Sequence, residues 1–247
     1  MVPSLHCIRI CNNTIIIWKL YYISTLVSEL SSTNTYIKSN ESVPNILSKH
    51  NSEISSFNIP ISKLDLPTIY CIPKLHKSPY KFRYIANSSN CSTTSLSRHL
   101  TSALTAVKEH VAKYCETVLN RNDVNLFWSI KNSGDVIEKI KSRNFQANTI
   151  ASYDFSNMYT TLPHDKINDQ LFKLIKWCYN REGKTYICTS ESKGFFSATE
   201  YKSYKSWTCS DVCSALSFLL DNIYVRFGED LYKQVVGIPM VFFRVSA

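Results

Sequence analysis

Apolar residues recur at two periods along this chain. In STTSLSRHLTSALTAVKEHVAKYCETVL, positions Leu96, Leu100, Leu104, Val107, Val111, Cys115 and Val118 are spaced by three and four. That spacing predicts a long amphipathic helix, with Thr94 or Ser95 as its cap. The same period marks Pro163 to Tyr179, through Ile167, Leu171, Leu174, Ile175 and Cys178. It marks residues 210 to 226 again, with Ser210 as cap and Val212, Leu216, Leu219, Leu220 and Ile223 inward. A shorter helix is expected from Ser133 to Arg143 with Ser133 as cap, and an amphipathic helix over TIIIWKLYYISTLV, residues 14 to 27. His99 and His110 fall within the long helix and read as ordinary helix residues.

Period two appears elsewhere. YKFRYIA, Tyr80 to Ala86, alternates aromatic or apolar with basic residues, the pattern of a strand with one wet face. Thr68 to Ile72 is β-prone and expected to stop at Pro73, which cannot donate to a central ladder. Joined by KLHKSP, the two runs predict a hairpin with a basic tip. Thr149 to Asp154 is β-prone and precedes a helix, so Asp154 is expected at the C-terminal end of a strand. Active-site groups gather at such ends, although Asp154 could equally cap the turn that follows. FGEDLYKQVVGIPM predicts a second hairpin, with a Gly-Glu-Asp turn between Val225–Phe227 and Leu231–Val236. Residues 28 to 58 read as a polar connector with one short helix at 42 to 50. Residues 180 to 207 read as a hairpin or loop insert around Gly194.

Composition sharpens this picture. The 247 residues are 44% hydrophobic and 19% charged, enough to bury a core and unlike a disordered chain. Glycine numbers five, which argues against a glycine-rich phosphate loop. The run TIIIWKLYYISTLV is too short for a membrane span, and no clear signal peptide precedes it. Nine cysteines lack the tight repeated pairs of a zinc site; Cys7/Cys11, beside His6, and Cys209/Cys213 are spaced more loosely. Reduced thiols in an intracellular protein are expected. The net charge is +9 and aromatics reach 13%, a combination suited to nucleic acid. From Pro73 to Lys108 there are six basic residues (Lys74, Lys77, Lys81, Arg83, Arg98 and Lys108) and no acid, which favours an anionic partner over a merely solvated face.

Three stretches, PKLHKSPYKFRYIA, YDFSNMYTTLPH and FGEDLYKQVVGIPM, occur in the order and spacing of a reverse transcriptase. Over about residues 56 to 240 the chain resembles this family of RNA-directed DNA polymerases from retroelements, most of all the Penelope-like retrotransposon enzymes. The resemblance implies an α+β fold: right-hand polymerase fingers and a partial palm, with helices packed on an antiparallel sheet. It divides the chain into an N-terminal helical extension and connector (1–55), a partial polymerase domain (56–240) and a tail outside the family pattern (241–247). It implies Asp154 as a catalytic residue and ligand of Mg²⁺ (or Mn²⁺), with the Phe155 main-chain carbonyl beside it. Tyr159 would lie under the nucleotide sugar, Arg83 would hold the triphosphate, and Lys74 or Lys81 would assist it. Tyr232, Gln234, Gly237, Pro239 and Met240 would lead into a template-and-nucleotide contact loop. The implied partners are an RNA template, a DNA primer and deoxynucleoside triphosphates, in an intracellular, nuclear setting, with no membrane.

The chain departs from that family after Met240, where VFFRVSA replaces the expected glycine and Pro-containing helix, and no Asp-Asp pair occurs anywhere. A frameshift, a retained intron or an error of gene prediction would account for the change. One carboxylate and one carbonyl cannot hold two metals, so the expectation is a truncated nucleotidyltransferase that does not polymerise by itself. Without the central catalytic hairpin of the palm, strand edges and apolar helix faces would be uncovered, so the chain is expected to be poorly soluble or partly molten. Two other readings stand beside it: a catalytically dead nucleic-acid-binding remnant that kept the basic hairpin, and a helical interaction protein whose charge is incidental.

Overall fold

The structure, a computed structural model, describes residues 5–10, 13–32, 34–61, 64–127, 129, 132–141, 149, 151–153, 155 and 158–238. Strands β1 (Leu5–Ile10) and β2 (Asn13–Trp18) form an antiparallel hairpin that runs directly into α1 (Lys19–Ser32). Next come β3 (Tyr36–Lys38), α2 (Val43–Ser56), β4 (Thr68–Lys74), β5 (Lys81–Asn87) and α3 (Thr94–Asn122). The chain continues through α4 (Ser133–Lys141), the single turn α5 (Met158–Thr161) and α6 (His164–Glu182). It finishes with β6 (Tyr186–Thr189), β7 (Gly194–Ser197), β8 (Lys205–Trp207), α7 (Cys209–Asp221), β9 (Tyr224–Phe227) and β10 (Asp230–Gln234).

The result is a mixed α/β fold. Its main sheet has the order β3-β10-β9-β4-β5, and a smaller sheet has the order β7-β6-β8. The main sheet is mixed rather than antiparallel, because β4 and β9 meet in parallel, with Thr68 level with Arg226. Alternation assigns its faces. Ile69 and Cys71 on β4, Ala86 on β5, Val225 on β9 and Tyr232 on β10 face one way and pack under Tyr22, Leu26 and Leu30 of α1. Tyr224 and Leu231, one residue out of step, face the other way and meet Ile46 of α2. The larger core joins α3, α6 and α7 to the smaller sheet through Leu96, Leu100, Ile175, Ile187, Leu216, Leu219 and the fully buried Trp207. Trp207 donates its indole N–H to Thr189 Oγ1 at 2.7 Å, so its one polar atom is satisfied in the core.

Several sequence expectations need correction. Residues 14 to 18 are strand, because the β-branched Thr14–Ile17 run pairs with β1, and the helix starts only at Lys19. The polar connector contains β3 and a 14-residue α2, which opens on Ser42 with proline in its first turn. Strand β4 runs past Pro73 to Lys74. Beyond Thr68 its other neighbour, β9, no longer pairs with it, so one edge is open where a missing N–H costs little. The caps also differ. Asn132 accepts from Asp135 N at the start of α4, and Thr208, in a reciprocal capping box with Asp211, precedes α7. Thr94 instead donates to the Ser88 carbonyl, holding the loop before α3. Residues 149 and 151–153 are not in a strand, and Asp154 lies outside the described residues. The strand-end placement of Asp154 therefore has no support from its described neighbours. Residues on both sides of the 55/56 boundary share one sheet, since β3 pairs with β10.

Candidate nucleic-acid interface

The β4–β5 hairpin buries one face and opens the other. Its pairs Ile69↔Ala86, Cys71↔Tyr84 and Pro73↔Phe82 turn toward the core under α1. The intervening pairs Thr68↔Asn87, Tyr70↔Ile85, Ile72↔Arg83 and Lys74↔Lys81 form the outer face. Lys81 and Arg83 are exposed there, Tyr70 keeps 37% of its surface, and the connecting turn adds exposed His76, Lys77 and Tyr80. On the buried side, burial pushes the Tyr84 hydroxyl up to about 12, with Glu29, Cys71 and Tyr21 adding to it. Burial likewise raises the Cys71 thiol to about 12, partly offset by its contact with Tyr22. These groups are inert packing, so the chemistry of the hairpin belongs to its outer side.

Lys74 and Lys81 sit directly opposite each other across the strands. Like charges in that position destabilise a sheet by a few tenths of a kcal/mol to about 1 kcal/mol. Among the described residues, no carboxylate pairs with Lys74, Lys77, Lys81 or Arg83. Arg98 differs: it is paired with Glu191 at 2.9 Å, which corrects the expectation that this basic stretch lacks counter-charges throughout. The face thus presents a row of cations, Lys74, Lys81 and Arg83, that leads to the half-open Tyr70, a composition suited to phosphates and a stacked base.

The second group of sequence-derived site residues gathers around Tyr159. The Gln234 side-chain amide donates to the Tyr159 carbonyl at 3.1 Å and to the Val236 carbonyl at 2.9 Å. Gly237 N donates to the Leu162 carbonyl at 2.7 Å, and His164 Nε2 donates to the Gly237 carbonyl at 2.6 Å. Pro163 and Val236 form an isolated bridge. Segments about 75 residues apart in sequence are therefore bonded together. Gly237 has φ +83, and a Cβ on it would overlap the Tyr159 carbonyl oxygen. The Tyr159 ring is 43% exposed and Phe155 80%. Tyr232 is buried in the core under α1, so it is packing and not a contact residue. Asp154, Pro239 and Met240 lie outside the described residues.

The two groups stand apart. From the Thr68–Arg226 level, Lys74 lies six residues up β4, whereas Gln234 lies about three residues down the sheet beside Tyr224 and Ile223. At roughly 3.3 Å per residue the separation along the strands is about 30 Å. The structure does not bring Lys74, Lys81 and Arg83 together with Tyr159 and Gly237.

The described donor set does not fit a two-metal centre. Among the described residues there is no group of three or more His, Cys, Asp or Glu side chains able to hold a metal ion. The seven cysteines from Cys71 to Cys213 are free thiols, with Cys213 raised to about 11 by burial and by Cys209 beside it. Among the described residues no helix is long and apolar enough to cross a membrane.

No family model matches this chain, and no curated protein or solved structure matches it either. That corrects the identity expected from the three stretches: no match supports the labels reverse transcriptase, RNA-directed DNA polymerase, retrotransposon or Penelope-like for this chain. Tyr70 lies inside the expected strand but carried no signal of its own; the cross-strand register, Tyr70 opposite Ile85 and Ile72 opposite Arg83, puts it on the same outer face as Arg83.

Proposed function

We propose that the chain is a nucleic-acid-binding module whose contact surface is the outer face of the β4–β5 hairpin. The observation that carries this reading is the directly opposed Lys74–Lys81 pair, with Arg83 in the next pair of the same face, Tyr70 one pair further along, and no described carboxylate paired with these cations. A phosphate between the two lysines turns a repulsion into two charge-assisted contacts. Tyr70 offers a ring to an unstacked base, so single strands fit this face better than duplex. The test is binding of a labelled single-stranded oligonucleotide across a salt series. Three phosphate contacts at roughly 0.7 each make the triple variant Lys74→Gln, Lys81→Gln, Arg83→Gln flatter by about 2 in log–log slope. An unchanged slope, or no binding by the parent chain at low salt, defeats the reading.

A second reading is favoured by the junction that ties Tyr159 to Gln234 and Gly237, since it joins two of the three stretches that first suggested nucleotide handling. On it, Tyr159 and Gly237 contact an incoming nucleotide, with Asp154 as the residue that would hold Mg²⁺. The described donors do not complete such a centre. Template-dependent incorporation with Mg²⁺ or Mn²⁺, lost in Asp154→Ala, decides for this reading. Binding without incorporation decides for the first.

A further inference from the structure

A cleft of about 850 Å³ lies between the N-terminal half of α3, the Ser88–Ser89 loop and the turn that joins β6 to β7. That volume falls within the range of small-molecule sites. Its lining is unusual in composition. Along α3 it takes Thr94, Ser97, Arg98, Thr101, Thr105 and Glu109, a stripe at helical spacing, and no aliphatic side chain larger than threonine and no aromatic one is on its wall. A site for an apolar ligand would show the opposite.

The hydrogen-bond directions say more. Thr101 Oγ1 donates to the Ser97 carbonyl and Thr105 Oγ1 to the Thr101 carbonyl, each at 2.8 Å. Ser89 Oγ donates to Asn87 Oδ1 at 2.9 Å. With their protons engaged, these oxygens have only acceptor lone pairs left to offer a ligand. The charges balance: Arg98 and Lys193 are opposed by Glu109 and Glu191, and the Arg98–Glu191 pair at 2.9 Å ties α3 to the opposite turn. A phosphate would meet two carboxylates, and an ammonium two cations. A ligand whose every polar group both donates and accepts meets neither penalty. Gly194 narrows the inner end, because a Cβ there would overlap the Ser102 carbonyl.

We propose that this cleft binds an uncharged ligand bearing vicinal hydroxyls, either a saccharide or the ribose of a nucleoside. The hydroxyls donate to Thr101 and Thr105, and to the carboxylates of Glu109 and Glu191. They accept from the guanidinium of Arg98 and the ammonium of Lys193. The lining includes none of Lys74, Lys81, Arg83 and Tyr70, so the site does not depend on those residues binding nucleic acid.

The experiment is isothermal titration of the full chain with maltose, adenosine and inorganic phosphate, each alone, and of the variants Thr101→Val and Thr105→Val. These replacements keep shape and remove the acceptor oxygen, so far-UV circular dichroism should be unchanged. Binding of maltose or adenosine, weakened roughly tenfold by either variant, is the expected result. Maltose alone assigns a saccharide, and adenosine alone assigns a nucleoside. The proposal is overturned if neither neutral probe binds, if phosphate binds more tightly than both, or if both valine variants bind like the parent.

Discussion

Gly237→Ala tests whether the junction between the Tyr159 turn and the end of β10 is a structural requirement. The residue has φ +83, a region where a Cβ costs roughly 1–2 kcal/mol. Its added Cβ would also overlap the Tyr159 carbonyl oxygen and stand 2.7 Å from Thr160 Cα. Both obstacles are backbone, so relief requires the two segments to move apart. That movement disturbs Gly237 N to Leu162 O, His164 Nε2 to Gly237 O and Gln234 Nε2 to Tyr159 O, each worth about 1 kcal/mol net. The expected loss is about 3–5 kcal/mol, a large part of an ordinary domain's stability. Gly183→Ala is the control. Gly183 has φ +62 but open space around it, so only the backbone term of roughly 1–2 kcal/mol applies. Urea denaturation of both variants, followed by circular dichroism, measures the difference. If Gly237→Ala costs no more than Gly183→Ala, the two segments are not held as described and the junction carries no weight.

Two further outcomes follow from the helices. Thr208→Ala removes the capping box of α7 and should cost about 1 kcal/mol in urea denaturation, whereas Ser210→Ala should stay within about 0.5 kcal/mol. Equal effects would restore Ser210 as the cap. His50, buried against Phe218 and Tyr224, bonds through Nδ1 to Ser92 Oγ at 2.8 Å. Burial lowers it from 6.5 to about 4, with Lys49 adding to the effect and Glu41 opposing it. The unfolded chain therefore binds the extra proton first as pH falls. Stability from this group is complete above about pH 6.5, is lost down to about pH 4, and amounts to at most about 3 kcal/mol. Denaturation midpoints from pH 4 to 7 should show that slope in the parent chain and a flatter one in His50→Gln.

Long apolar periods were legible because burial dictates them. Every inward residue expected for the last helix, from Val212 to Ile223, is buried, although the helix proper ends at Asp221. The period-two hairpin was legible for the same reason. Short or one-sided elements were not. Thr14–Trp18 carries β-branched residues in a run that reads equally well as a buried helix, and only pairing with β1 decides it. β3 is three residues long, and what makes it a strand is a partner nearly 200 residues away. The stripe of serine and threonine on α3 carries no local signal of a cleft. It becomes a cleft only because the β6–β7 turn lies opposite it, which no local pattern encodes.

The basic outer face has a competing explanation that uses the same residues. β5 is an edge strand, and lysines on edges keep sheets from pairing with other chains. Edge protection accounts for Lys81. It accounts less well for the placing of Lys74, on the open edge of β4, directly opposite Lys81, which repels it across the pair. A glutamate at 74 would keep the edge charged through Lys81 and replace repulsion with attraction. The opposite edge of the same sheet shows that arrangement: Lys38 on β3 pairs with Asp230 of β10 at 2.7 Å. One sheet thus neutralises its cation at one edge and concentrates cations at the other. Resistance to aggregation is served by either arrangement, but holding an anion is served only by the second.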